Sequence, residues 1–134
     1  MDRVDSMDPS KKAQSLIEKF EDTLKSEPNN LTILANLGAC YGVLQKMDKA
    51  IDIFNKILEQ DPKNIDALNN LGVIYTQVGN FSEAIAKLEM AVKLKPSDAR
   101  LWNNLGETYR RSGNYHKANV CRMRQIQLSE SKNG

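Results

Sequence analysis

The sequence predicts an all-α fold made of repeated helix pairs. A Leu-Gly pair recurs at a constant interval, starting at Leu37, Leu71 and Leu105. Apolar residues also recur at helical spacing in six segments, which predicts one buried face for each helix. These segments are residues 31–44, 48–60, 65–78, 82–94, 99–112 and 116–128. A fixed period combined with a helical pattern predicts a row of neighbouring helix pairs rather than one globule.

Turn-forming residues separate the predicted helices. Gly79-Asn80 and Gly113-Asn114 stand inside the second and third pairs, where a glycine can take the left-handed backbone that ends a helix. Gln45-Lys46 replaces them in the first pair, so we expect that turn to be tighter or extended. Prolines mark the end of each second helix, because proline cannot continue one. They are Pro28, Pro62 and Pro96, which keep the same interval as the Leu-Gly pairs.

One further helix is predicted before the first pair. Pro9-Ser10 reads as its start, and Phe20 lies one period before Phe54. The segment therefore corresponds to the second helix of a unit, and we expect it to cover the apolar end of the first pair. We divide this part of the chain into a flexible N-terminus, residues 1–9, and a capping helix, residues 10–28.

The repeated positions together resemble a known family. Each Leu-Gly pair is preceded by a large apolar residue and followed by a tyrosine, and an alanine and a proline come later. The residues are Leu34, Leu68 and Trp102; Tyr41, Tyr75 and Tyr109; and Ala50, Ala84 and Ala118. This pattern resembles the tetratricopeptide repeat, with units at 31–64, 65–98 and 99–132. The resemblance implies a right-handed α-solenoid whose first helices line a concave groove that holds extended peptides.

The face of the first helices opposite the Leu-Gly stripe is the candidate binding site. By the resemblance, it is expected to contact a peptide. The candidate residues are Asn36, Ala39, Asn70, Val73, Arg100, Asn103, Asn104, Arg110 and Arg111.

Three of these candidates form a ladder, since Asn36, Asn70 and Asn104 each precede a Leu-Gly pair. An amide offers a donor and an acceptor to a peptide backbone. The ladder is similar to that of the glycosyltransferase that places N-acetylglucosamine on intracellular proteins. The alternative is that these amides bond neighbouring helices.

Charge is unevenly distributed along the chain. Residues 99–134 hold seven basic and two acidic residues, whereas the whole chain has a formal charge of +2. This asymmetry predicts that an acidic partner segment is attracted to the third repeat. The alternative is a solvated terminal face. Nucleic acid is not expected as a partner, because the basic residues lack interleaved aromatic residues.

The last helix departs from the repeat. Arg122 stands where Phe54 and Leu88 stand earlier, so we expect this face to meet water. Alternatively, a partly apolar surface there docks a second copy of the chain. That surface would consist of Val120, Cys121, Met123, Ile126 and Leu128.

Residues for catalysis are missing from the pattern. His116 is the only histidine, and Cys40 and Cys121 have no C-x-x-C partner. No phosphate-binding loop or nucleophile motif occurs, so no enzyme activity, cofactor or metal is expected. No signal sequence or run of 18 apolar residues is present, which predicts a cytoplasmic protein without a membrane span.

The predicted function is non-catalytic binding of an extended peptide or partner helix, in a scaffold or adaptor role. Two alternatives use the ends of the helix row instead of the groove. One is a self-assembling structural scaffold. The other is a dimeric chaperone of the secretion type, some of which resemble three such repeats behind an N-terminal helix.

Overall fold

The computed structural model describes the backbone of residues 8–133 and the side chains of residues 8–131. Within this range it contains seven α-helices and no β-strand, which confirms the all-α prediction. The helices are α1 (Pro9–Ser26), α2 (Leu31–Val43), α3 (Met47–Gln60), α4 (Ile65–Gln77), α5 (Phe81–Leu94), α6 (Ala99–Ser112) and α7 (Tyr115–Asn133).

Short polar side chains begin most of these helices. Asn30 and Asn64 accept hydrogen bonds from the backbone N–H three residues later, at 3.1 and 3.0 Å. Such a cap satisfies an amide that has no partner within its helix and stabilises the helix by about 1 kcal/mol. Asn80 and Asn114 cap α5 and α7 in the same way, and Asp98 caps α6 by accepting the N–H of Arg100, two residues later.

The start of α1 differs from the predicted boundary. Asp8 accepts the backbone N–H of Lys11 at 2.9 Å, and Pro9 is already helical. Proline is favoured in this first turn because its missing N–H would have no partner there. The flexible segment predicted for residues 1–9 is therefore wrong at its last two residues, and residues 1–7 lie outside the described part of the chain.

The three turns inside the helix pairs have the same geometry. In each, the residue just before the next helix donates its N–H to the carbonyl of the repeat tyrosine, and the residue before this donor has a positive φ. The donors are Lys46, Asn80 and Asn114, at 2.9, 2.8 and 2.9 Å. Gln45 has a φ of 60°, beside 84° for Gly79. The prediction of a different first turn is wrong, because these hydrogen bonds hold Gln45 in the left-handed conformation.

The described residues form two compact units, divided after Pro62. In the first, α2 packs against both α1 and α3. In the second, α5 packs against α4 and α6, while α6 also packs against α4 and α7. Each core is formed by the repeated apolar positions, such as Leu34, Leu37, Phe54 and Ile57 in the first unit and Leu68, Leu71, Leu88, Leu101 and Leu105 in the second.

The glycine of each Leu-Gly pair lies against the following helix. A Cβ atom on Gly72 would lie 2.3 Å from Cγ of Leu88, and one on Gly38 would lie 2.8 Å from Cζ of Phe54. In the third repeat Arg122 is exposed, as predicted, and Gly106 lies against Cys121 instead. Cys121 is thus buried and does not belong to the apolar surface predicted on the last helix.

Candidate protein-interaction site

A line of polar contacts joins α4 to α6, the two first helices of the second unit. We call it the polar seam. It consists of the Asp66–Arg100 ion pair at 3.3 Å, the Asn69–Asn104 hydrogen bond at 2.8 Å and the Thr76–Thr108 hydrogen bond at 2.7 Å. The seam fixes the spacing of two helices whose outer faces carry most of the predicted binding residues.

Asn69 and Asn104 form the middle contact of the seam. Nδ2 of Asn104 donates to Oδ1 of Asn69, whose side chain is almost fully buried. Asn104, one of the three ladder residues, therefore bonds a neighbouring helix. This is the role that the alternative interpretation of the ladder gives to these amides. Its Oδ1 atom has no hydrogen-bond partner among residues 8–131 and remains able to accept one.

Two buried hydroxyls form the far end of the seam. Oγ1 of Thr76 lies 2.8 Å from the carbonyl of Gly72, and Oγ1 of Thr108 lies 2.9 Å from that of Asn104. Sequence reasoning missed this pair. The two threonines are not separated by one full repeat, so the repeat period gave no signal for them.

Next to the seam, α4 and α6 each present a row of side chains, and we call the two rows the groove face. Its members are half-buried or exposed and follow helical spacing i, i+3, i+7 on each helix. They are Asn70, Val73 and Gln77 on α4, and Asn104, Glu107 and Arg111 on α6. The groove face thus combines amides, one small apolar side chain and charged groups.

The three predicted arginines differ in what they contact. Arg100 is paired with Asp66 and Asp98, and Nε of Arg110 donates to Glu107 at 3.0 Å. The hydrogen bond from Arg110 lowers the pKa of Glu107 below its usual range. Arg111 makes no ion pair within the described side chains. It is therefore the predicted arginine best able to receive a ligand carboxylate.

Asn103 and Arg110 lie on a different side of α6 from the groove face. Together with Trp102, Gly106 and Arg122 they line an open cavity of about 410 Å³. We call the surface that lines this cavity the end face. One repeat earlier, Asn69 and Thr76 hold the equivalent positions, and there they contact the next first helix. The end face is thus the helix-packing side of the third repeat.

Asn36 and Ala39 belong to the first unit. Both lie on α2 with exposed side chains, three residues apart and so on one side of the helix.

Each unit also contains a tyrosine held between an acid and a lysine. In the first, the hydroxyl of Tyr41 donates to Glu21 at 2.6 Å, and Nζ of Lys49 lies 5.4 Å from the ring centre. The hydrogen bond to Glu21, with burial, raises the pKa of Tyr41 to about 12. These contacts and its burial identify Tyr41 as a packing residue.

The same arrangement recurs in the second unit, two repeats later. Tyr109 donates to Glu89, and Lys117 lies over its ring at 5.5 Å. Burial and this hydrogen bond raise the pKa of Tyr109. Its role is likewise structural.

Groups that could support chemistry are few in the described range. Cys40 and Cys121 are buried free thiols, and burial raises the pKa of both. Residues 8–131 contain no group of three histidine, cysteine or acidic side chains able to hold a metal ion. None of the described helices is long and apolar enough to cross a membrane. His116 is exposed at the start of α7.

Sequence models of the tetratricopeptide repeat match residues 17–65, 44–105 and 99–131. Together these matches run from residue 17 to residue 131. The chain therefore belongs to the tetratricopeptide-repeat family, and its general class is that of a protein-interaction scaffold.

Solved structures agree with this assignment. MamA of strain AMB-1 is 28% identical with a TM-score of 0.76, and the alignment covers 86% of this chain and 68% of that one. BtubC from P. vanneervenii is 26% identical with a TM-score of 0.81, over 88% of this chain and 57% of that one. MamA from Desulfovibrio magneticus RS-1, at 19% identity and a TM-score of 0.83 over 95% and 78% of the two chains, supports the fold alone. No curated protein matches the sequence.

Proposed function

We propose that the groove face binds an extended segment of a partner protein, so that the chain acts as a non-catalytic scaffold or adaptor. The observation that carries the proposal is that Asn70 and Val73 are partly exposed and Arg111 is exposed on two helices held by the polar seam. An amide can bond a peptide backbone in both directions, Val73 can contact an apolar side chain, and Arg111 can pair with a carboxylate.

The polar seam supports this proposal because it fixes the two binding helices before a ligand arrives. Asn69, Thr76 and Thr108 are all at least nine-tenths buried, and each has a hydrogen-bond partner. A face that is already ordered loses less conformational entropy on binding. The side chains of Asn70 and Arg111 are the parts that still need to be ordered.

The charge on α6 supports a preference for acidic segments. Arg111 supplies the main attraction, since Arg100 must exchange an exposed ion pair for a ligand carboxylate and Arg110 lies on the end face. Exposed ion pairs contribute only about 0–1 kcal/mol, so this exchange costs little. Asn36 and Ala39, in the first unit, are proposed to offer the same kinds of contact as Asn70 and Val73. The buried free thiols suit the reducing cytoplasm, which is the location we propose.

A displayed library of random peptides of about 12 residues, selected on the whole chain, tests the proposal. The selected peptides are then rebound to the double variant Asn70→Ala, Arg111→Glu, with Asn103→Ala on the end face as the matched control. We expect a class of peptides that binds the double variant at least about tenfold more weakly and the control unchanged. If no selected peptide distinguishes the two variants, the groove face is not a peptide site.

Self-assembly through the end face is a second candidate function, and it includes the chaperone-like dimer. It is favoured by the cavity beside Trp102 and Gly106, which no described helix covers. The equivalent side of α4, one repeat earlier, packs against α6. Sedimentation equilibrium at several concentrations tests it. We expect a concentration-dependent dimer that Asn103→Trp, at an exposed residue of the end face, abolishes, and a monomer at every concentration would exclude this candidate.

A further inference from the structure

A second concave surface lies on the side of the second unit formed by α5, α6 and α7. It has a volume of about 550 Å³ and a mostly apolar lining. This lies within the range of roughly 300–1,000 Å³ that is usual for ligand sites. We call it the outer groove. Its apolar lining consists of Val92, Trp102, Leu105, Val120 and Cys121.

The outer groove continues into a second depression along α7. Trp102 and Val120 line both, and Met123, Arg124 and Gln127 complete the second, which has a volume of about 360 Å³. Val120 is 53% exposed and Met123 is 58% exposed. Two large apolar side chains that line this depression are therefore exposed to solvent.

Comparison with the other repeats shows that this apolar character is specific to α7. The positions equivalent to Val120 and Met123 are Asp52 and Asn55 in α3, and Ala86 and Glu89 in α5. The tetratricopeptide fold therefore does not require apolar side chains there. Large exposed apolar side chains that occur at these positions on one helix only are a mark of an interaction surface.

Cations surround the apolar floor of the outer groove. Lys93 and Lys117 line the groove, and Arg124 lines the adjoining depression. The guanidinium of Arg124 lies over the Trp102 ring at 5.6 Å, and Lys117 lies over the Tyr109 ring. All three cations are exposed. The Glu89 carboxylate, also in the lining, already accepts the hydroxyl of Tyr109.

We propose that the outer groove docks an acidic amphipathic segment of a partner protein. Bulky apolar side chains of that segment contact Val120 and Met123, and its carboxylates lie against Lys93, Lys117 and Arg124. A second copy of the chain fits less well, because a two-fold contact through this surface would place the basic rim against itself. The outer groove shares no residue with the groove face, so the proposal is independent of the proposed function.

The peptide library selected on the whole chain also tests this proposal. Selected peptides are rebound to the double variant Val120→Asp, Met123→Asn, which introduces the residues found at the equivalent positions of the first repeat. The matched control is Asn70→Ala, Arg111→Glu on the groove face. Circular dichroism verifies that each variant keeps the helical content of the parent chain.

We expect a class of peptides, rich in Leu or Phe and in Asp or Glu, that binds Val120→Asp, Met123→Asn at least about tenfold more weakly and the control unchanged. The same peptides should bind Lys117→Glu, Arg124→Glu more weakly and lose affinity as NaCl rises from about 50 to 500 mM. The proposal is overturned if no peptide depends on Val120 and Met123, or if the dependent peptides are neutral or basic. Self-association that disappears in the same variant would also overturn it, in favour of a second copy.

Discussion

Asn104 donates an amide hydrogen to the buried Oδ1 atom of Asn69 across 2.8 Å and thereby holds α6 against α4. The same side chain belongs to the groove face and was one of the residues predicted to bind a peptide. Its removal would affect both the fold and the proposed site. A loss of binding after substitution of Asn104 is therefore not evidence for a ligand contact, whereas a loss after substitution of Asn70 is.

Substitution of Asn104 by alanine should destabilise the chain. It leaves Oδ1 of Asn69 buried without a donor, and an unsatisfied buried polar group costs about 1–3 kcal/mol. Urea denaturation followed by circular dichroism measures the change in the free energy of unfolding. The control is Asn103→Ala, the same chemical change on an exposed residue of the same helix, for which we expect less than about 0.5 kcal/mol. Equal effects of the two substitutions would show that the seam contact does not stabilise the unit.

Alanine should be tolerated at Gly42 and harmful at Gly72. A Cβ atom on Gly72 would lie 2.3 Å from Leu88, whereas nothing lies within 4 Å of one on Gly42. We expect Gly72→Ala to cost about 1–3 kcal/mol through overpacking. Gly42→Ala should stabilise the chain by up to about 1 kcal/mol, because alanine is the better helix former. Thermal unfolding of both variants tests this, and a stable Gly72→Ala variant would contradict the close approach of α4 and α5.

Replacing Gln45 and Lys46 in the first turn by the residues of the other two turns should stabilise the chain. Gln45→Gly removes the cost of a left-handed backbone for a residue with a side chain, and Lys46→Asn supplies the missing cap of α3. We expect the double variant to gain about 1–2 kcal/mol in free energy of unfolding. Gln45→Ala is the control and should give no gain, since alanine meets the same backbone cost. A gain of the same size from Gln45→Ala would contradict the explanation.

The contact of Tyr41 with Glu21 should make the stability depend on pH above about 10. The folded chain holds the Tyr41 proton up to a pKa of about 12, while the unfolded chain releases it near a pKa of 10.0. The folded state therefore binds more protons between these values. Its stability is unaffected below pH 10 and falls as the pH rises towards 12.

Melting temperatures measured at several pH values between about 9 and 11.5 test this. Tyr41→Phe should give a shallower decline than the parent chain, although a decline remains because Tyr109 titrates in the same direction. Slopes are compared rather than absolute values, because the variant also loses the hydrogen bond to Glu21. Parallel slopes would show that Tyr41 is not the responsible group.

Much of the helical architecture could be predicted because its signals are local. The Leu-Gly period located every helix pair, and Asn30 and Asn64 cap helices that begin where the predicted segments begin. The first turn was predicted wrongly for a physical reason. Glutamine has no local preference for a positive φ, so only the surrounding hydrogen bonds determine the conformation of Gln45.

Less of the candidate site could be predicted. Helical spacing places a residue on a side of its own helix but does not say which neighbour covers that side. Asn69, next to the predicted binding residue Asn70, is thus buried against α6, and Asn103, one repeat later, lies on the end face. The Thr76–Thr108 contact depends on the packing of two helices that are distant in the sequence, which no local pattern encodes.

The acid–tyrosine–lysine arrangement has twice the period of the backbone. Glu21 and Glu89 accept from tyrosines that are two repeats apart, whereas Asn55 occupies the equivalent position between them. A designed chain with a copied first or third repeat would place the hydroxyl of the copied tyrosine opposite an amide or a thioether, since Asn55 and Met123 stand at the acid's position in those repeats. A copy of the second repeat would place that hydroxyl opposite a carboxylate, because the second repeat contains Glu89. The second repeat is thus the unit by which the chain can be lengthened while the added tyrosine keeps an acidic acceptor.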